Sequence, residues 1–204
     1  MSKKISKTEK SDHKTQMSEV KAKVDKQVAE AKIDKGLILV LTGDGKGKSS
    51  SGLGMVLRSL GHGMKVGVAQ FIKGDWETGE KQFLQSHPEV KYHVMGGGFT
   101  WNSQDKEADI ERTEACWAET QKFLADESLD FLLLDELNVV LSFGYLKLET
   151  VLAALKKKPK DLHVVITGRG APEELLELAD TVSTINSPKH AFENGIRAQK
   201  GVEF

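Results

Sequence analysis

The chain has 204 residues, 39% of them hydrophobic and 29% charged, with a formal net charge of −1; these proportions fit one globular domain with a sizeable core. A near-neutral balance excludes a global basic field for nucleic acid or an anionic membrane surface, and no apolar run approaches the ~20 residues that cross a bilayer. A single cysteine, Cys116, excludes an intrachain disulfide and a multi-cysteine zinc site and fits a reducing, cytoplasmic compartment; the charged start MSKKISKTEK has no apolar h-region, so no secretory signal is expected.

Charge is uneven along the chain, because residues 1–35 hold ten lysines against six acidic residues. Residues 1–14 are polar and aperiodic and read as a disordered tail. Over 15–35, Met17, Val20, Val24, Val28 and Ala31 recur at spacings of three and four, which predicts an amphipathic helix or arm. Such an arm either docks on its own domain or reaches a partner subunit. Residues 36–204 then form one α/β domain in which strands alternate with helices.

The wholly apolar run 37–41 predicts a central parallel strand covered on both faces. A helix follows over 50–60, stopped by Gly61-His62-Gly63, then a strand over 65–71. A helix over 78–86, a strand over 90–95 and a long helix over 105–126 come next. Phe131-Leu132-Leu133-Leu134 is a buried strand ending at Asp135-Glu136, and 146–157 is a helix with a lysine-rich exit. A buried strand over 163–167, a helix over 172–179 and a strand over 181–185 complete the pattern. Alternation of this kind predicts a mostly parallel sheet with helices on both faces, of the P-loop NTPase-like type.

Thr42-Gly43-Asp44-Gly45-Lys46-Gly47-Lys48-Ser49 lies between the first strand and the first helix of that domain. Its glycines let backbone N–H groups approach an anion at a helix N-terminus. Lys48 supplies a point charge for phosphate oxygens, and the Ser49 hydroxyl is placed to ligate Mg²⁺. Ser50 adds a second hydroxyl. The standard phosphate loop has glycine where Thr42 stands, so this loop is one residue short. Asp44 would repel phosphate if it faced inward, so it either points outward or meets the metal. Asp135 and Glu136, at the end of a parallel strand, share the sheet edge with the loop and can hold Mg²⁺ directly or through water. Lys46, Arg58 and Arg169 can supply cationic charge. No residue stands out as a general base.

Several segments beyond the loop resemble the ATP:corrinoid adenosyltransferases with a P-loop-like fold, over about Met17–Phe204. They are Thr42–Ser50; Phe71-Ile72-Lys73-Gly74 with Trp76 and Thr78-Gly79-Glu80; Gly98-Phe99-Thr100-Trp101; Leu134-Asp135-Glu136-Leu137-Asn138; Thr167-Gly168-Arg169-Gly170-Ala171-Pro172; and the tail Gly195–Phe204. The resemblance implies that a reduced Co(I) corrinoid attacks the ribose 5′ carbon of ATP, forming a Co–C bond and releasing intact triphosphate. It also implies that ATP lies reversed in the loop, in keeping with Thr42. By the same resemblance, Gly43, Asp44, Gly45, Lys46, Gly47, Lys48, Ser49, Ser50 and Arg58 contact the nucleotide, though Arg58 could equally form a surface ion pair. Ser49, Asp135 and Glu136 are implied as the support for Mg²⁺, with Mn²⁺ as its substitute. Phe99 and Trp101 are implied to displace the lower axial ligand of cobalt and so ease its reduction, with Lys48 as the third catalytic residue. A reducing flavoprotein and a homodimer, its N-terminal helix covering the partner's site, are further implications. Two other readings compete: an NTPase or small-molecule kinase, and a non-catalytic nucleotide- or corrinoid-binding module.

Overall fold

The computed structural model describes residues 7–72, 77–96 and 105–203. The chain divides into two compact units, Met1–Asp34 and Lys35–Phe204. In the first, α1 spans Lys7–Glu30 and so begins within the stretch expected as a tail. Over 7–14 the chain carries Lys7, Glu9, Lys10 and Lys14, good helix formers even without an apolar stripe. Met17, Val20, Val24 and Val28 are exposed along α1.

The second unit is a parallel sheet between two layers of helices. Its strands are β1 (Ile38–Thr42), β2 (Val66–Gln70), β3 (Val90–Val94), β4 (Phe131–Asp135), β5 (His163–Thr167) and β6 (Thr181–Thr184), in the order β3-β2-β4-β5-β1-β6. Every pairing is parallel. The helices are α2 (Lys48–Gly61), α3 (Gly79–Gln85), α4 (Lys106–Leu124), α5 (Leu137–Ser142), α6 (Leu148–Lys156) and α7 (Glu173–Leu178). A 3₁₀ turn spans Ala191–Asn194. The predicted strands and helices are all present with shifted ends; α5 is the addition, hidden because six residues show too little periodicity.

Alternation along the strands sorts the core. Leu132 and Leu134 of β4, with Val40, Val164 and Ile166, pack under α4–α7 against Trp117, Leu124, Leu137, Val151, Leu155 and Leu175. Phe131 and Leu133, with Leu41, Val68 and Val165, pack on the other face against Val56 of α2 and Leu84 of α3. Cys116 is buried on the α4 side, where burial pushes its thiol up to about 12 and leaves it unreactive near neutral pH.

Because all strands are parallel, their carboxyl ends share one edge. The turn after β1, the turn after β4 and the turn after β5 meet there. From β1 the chain crosses over β5 and β4 to reach β2, and such a switch point is where open α/β sheets bind ligands. Among the described residues no helix is long and apolar enough to cross a membrane.

Candidate phosphate and metal site

A cavity of about 870 Å³ opens at this edge, lined by residues 45–50 of the phosphate loop, by Glu136, Val139 and Phe143, by Arg169, and by Val202 and Glu203. Leu53, Ile72 and Glu80 complete its walls. Ile72 (φ 73°) and Glu136 (φ 62°) are the positive-φ non-glycine residues of the described chain, and both line this cavity. A left-handed L-residue costs about 1–2 kcal/mol, so the strain is concentrated at the site.

Two glycines give the loop its shape. At Gly47 φ is +114°, a conformation that L-residues rarely adopt. At Gly45 a Cβ would stand 2.2 Å from the Asn186 carbonyl oxygen, so only glycine fits. The Gly45 N–H donates to Ile185 O at 2.7 Å, which ties the loop to the chain leaving β6.

Lys48 begins α2 and is 7% exposed. Its ammonium donates to Gly45 O at 2.7 Å, across the loop. Burial lowers its pKa, the Glu136 carboxylate opposes that shift, and Arg169 adds to it. Ser49 is half-buried and Ser50 exposed, both on the cavity wall. The Asp44 side chain is 85% exposed, 3.9 Å from the Arg169 guanidinium. Arg169 also donates to the Asp44 carbonyl oxygen at 3.3 Å. Lys46 pairs with Glu203, so the tail reaches the loop. Val202 and Glu203 were not anticipated as lining residues; their place in the family-like tail was the available signal.

Among the described residues, four expected site residues are off the cavity wall: Gly43 and Asp44 of the loop, Arg58 and Asp135. Arg58 is in the last turn of α2, exposed and off the cavity wall. At 1.5 Å per residue, ten positions of helix carry it about 15 Å from Lys48. Asp135 is fully buried and also off the wall. Alternation places it with Phe131 and Leu133 on the α2 face of β4, where its carboxylate accepts from Thr167 Oγ1 at 2.7 Å and from Gln70 Nε2 at 3.0 Å. Tyr92 closes the cluster by donating to Gln70 Oε1, and burial beside Asp135 holds its phenol above the ordinary range. Of the Asp135-Glu136 pair, Glu136 is the one on the cavity wall, which Glu80 and Glu203 also line. Phe99 and Trp101, with Lys73, Gly74, Trp76, Gly98 and Thr100, lie outside the described residues.

No histidine is on the cavity wall among the described residues. His163 Nδ1 accepts from the Leu37 N–H at 3.2 Å, and His190 Nδ1 accepts from the Phe192 N–H at 3.2 Å. No group of three or more His, Cys, Asp or Glu side chains that could hold a metal occurs among the described residues.

The family model described as ATP:corrinoid adenosyltransferase BtuR/CobO/CobP matches residues 34–204. The chain is 53% identical over 193 residues to the corrinoid adenosyltransferase of Pseudomonas aeruginosa, covering 94% of this chain and 95% of that one. It is 48% identical over 185 residues to that of Escherichia coli, covering 91% and 94%. With the corrinoid adenosyltransferase CobA of Salmonella typhimurium it shares 44% over 192 residues, covering 94% and 97%.

Proposed function

The chain belongs to the ATP:corrinoid adenosyltransferase family, and from that membership we propose how its own residues carry the reaction. The 5′-deoxyadenosyl group of ATP passes to the reduced cobalt of a corrinoid: a Co–C bond forms, the bond from C5′ to the triphosphate oxygen breaks, and triphosphate leaves intact. The observation that carries this reading is a single cavity in which the phosphate loop, Lys48, Ser49 and Glu136 share space with an apolar wall of Leu53, Ile72, Val139 and Phe143.

Each group has a task suited to its chemistry. The amides of residues 46–49 and the Lys48 ammonium take the charge that grows on the leaving triphosphate. The bond of Lys48 to Gly45 O is then exchanged for phosphate oxygens. Lys46 and Arg169 add cationic charge at the rim. The corrinoid cobalt is a nucleophile with no proton to lose, so the site needs no general base; orientation and exclusion of water are the remaining tasks. Phe99 and Trp101 supply the aromatic surface that displaces the lower axial ligand, a role supported by the family resemblance.

The donor set fits Mg²⁺. Ser49 and Glu136 offer hard oxygens on one cavity, and a magnesium site of this kind takes one or two protein oxygens and is completed by phosphates and water. Bound there, Mg²⁺ or Mn²⁺ neutralises triphosphate charge. Reduction of the corrinoid by a flavoprotein and assembly as a homodimer belong to the same proposal and rest on the resemblance. A cytoplasmic location is supported by the lone buried Cys116.

Mixing the protein with ATP, Mg²⁺ and chemically reduced cobalamin should give the light-sensitive absorption spectrum of an alkyl-cobalt bond. A spectrum that stays that of unalkylated cobalamin would contradict the proposal.

A further inference from the structure

Glu136 holds a left-handed conformation (φ 62°) at the N-terminus of α5. Its side chain makes no cap to the helix it begins. The restraint comes from β5. The Glu136 N–H donates to Thr167 Oγ1 at 3.0 Å, and the same hydroxyl donates to Asp135 Oδ1 at 2.7 Å. Thr167 and Asp135 are both fully buried, so neither bond competes with bulk water. A further tie joins the turns, Asn138 Nδ2 to Gly168 O at 3.1 Å.

The hydroxyl of Thr167 has one proton and accepts through its oxygen. Asp135 accepts the hydrogen bond from that O–H, which turns the oxygen's lone pairs to the Glu136 N–H. A buried carboxylate thus fixes the sense of the bond, and the bond fixes the backbone from which the Glu136 side chain enters the cavity. Gln70 Nε2 donates to the other oxygen of Asp135, and Tyr92 in turn donates to Gln70 Oε1. This relay lies on the α2 face of the sheet, beneath the phosphate loop, and none of Thr167, Asp135 or Gln70 is on the cavity wall.

We propose that Thr167, oriented by Asp135, is a positioning residue that sets the Glu136 carboxylate for the metal of the nucleotide. The inference rests on the reading of Glu136 as a magnesium ligand. Thr167 touches neither nucleotide nor metal; it acts through the backbone of Glu136. Its loss should therefore spare binding of metal-free ATP and weaken only the gain in affinity that Mg²⁺ confers.

The test is calorimetric titration of ATP, once with Mg²⁺ and once with EDTA, into the full chain and its Thr167→Val, Thr167→Ser and Glu136→Gln variants. Thr167→Val keeps the β-branched shape and removes the hydroxyl. Its Mg²⁺-dependent gain should fall about tenfold or more, as for other outer-shell changes at metal sites, with ATP affinity in EDTA unchanged. Thr167→Ser should restore the gain, and Glu136→Gln should lose it. Retention of the gain in Thr167→Val alone overturns this inference and leaves the metal reading standing. Retention in Glu136→Gln overturns the metal reading and the inference with it. Should Thr167→Val not fold, Thr167→Ala is titrated in its place; failure of both to fold would make the hydroxyl a requirement of the sheet and overturn its assignment to the site.

Discussion

Lys48 is the residue on which the charge argument turns. It is buried, bonded across its own loop and lowered in pKa by that burial, so a bound polyphosphate gains a cation with little water around it. Lys48→Ala should cut the rate of Co–C bond formation by about 10²–10³-fold, the scale for removing one preorganised charge-stabilising donor. Far-UV circular dichroism should be unchanged. Gly47→Ala tests backbone rather than charge. Nothing lies within 4 Å of the position a Cβ would take, but φ is +114°, so the expected loss is conformational, about 1–2 kcal/mol in urea unfolding. At this scale the sequence was partly transparent. Gly43–Ser49 could be read because glycine, lysine and hydroxyl sit in a spacing with one strong chemical use. Asp135 and Glu136 could be read as carboxylates at the sheet edge, but their separation into a buried anchor and a cavity wall could not be read from proximity alone. Strand alternation, carried one residue past Leu134, contains that information.

The loop, β6 and α2 behave as linked elements. Gly45 touches the backbone of Asn186 and bonds to Ile185, so Gly45→Ala should push the loop away from the end of β6 and weaken ATP binding measurably in the same calorimetric titration. Gly54, on the exposed side of α2, has open space around it. Gly54→Ala should raise stability by about 0.5–1 kcal/mol through helix propensity, leaving ATP affinity unchanged. The long elements were legible because apolar runs and glycine stops punctuate them. The short α5 was not: Leu137-Asn138-Val139-Val140-Leu141-Ser142 is too short to show a helical period, and Leu137 and Val140 pack it into the core. The contact of the tail with Lys46 was also invisible, since pairing of Glu203 with a residue at the other end of the domain leaves no local trace.

Across the whole molecule, stability should fall in acid. Asp126 is held at about 2, below its ordinary 3.8, first by its hydrogen bond from Lys91 and then by those from Ser128. Asp180 is likewise lowered, by Lys35 and by the Ile38 N–H. A carboxylate lowered by folding contributes stability that is present above its unfolded value and is lost as pH falls through its folded one. Urea midpoints should therefore decline between about pH 4 and pH 2, and Asp126→Asn should make that decline shallower. The all-parallel topology, which brings the ends of β1, β4 and β5 to one edge, is what gathers the loop, Glu136 and Arg169 around one cavity. The central claim is that the triphosphate held there is a leaving group. Phosphorus NMR of the reaction with ATP, Mg²⁺ and reduced cobalamin tests it most directly: the account predicts inorganic triphosphate accumulating in step with the alkyl-cobalt product, whereas ADP with phosphate, or a phosphorylated corrinoid, would contradict it.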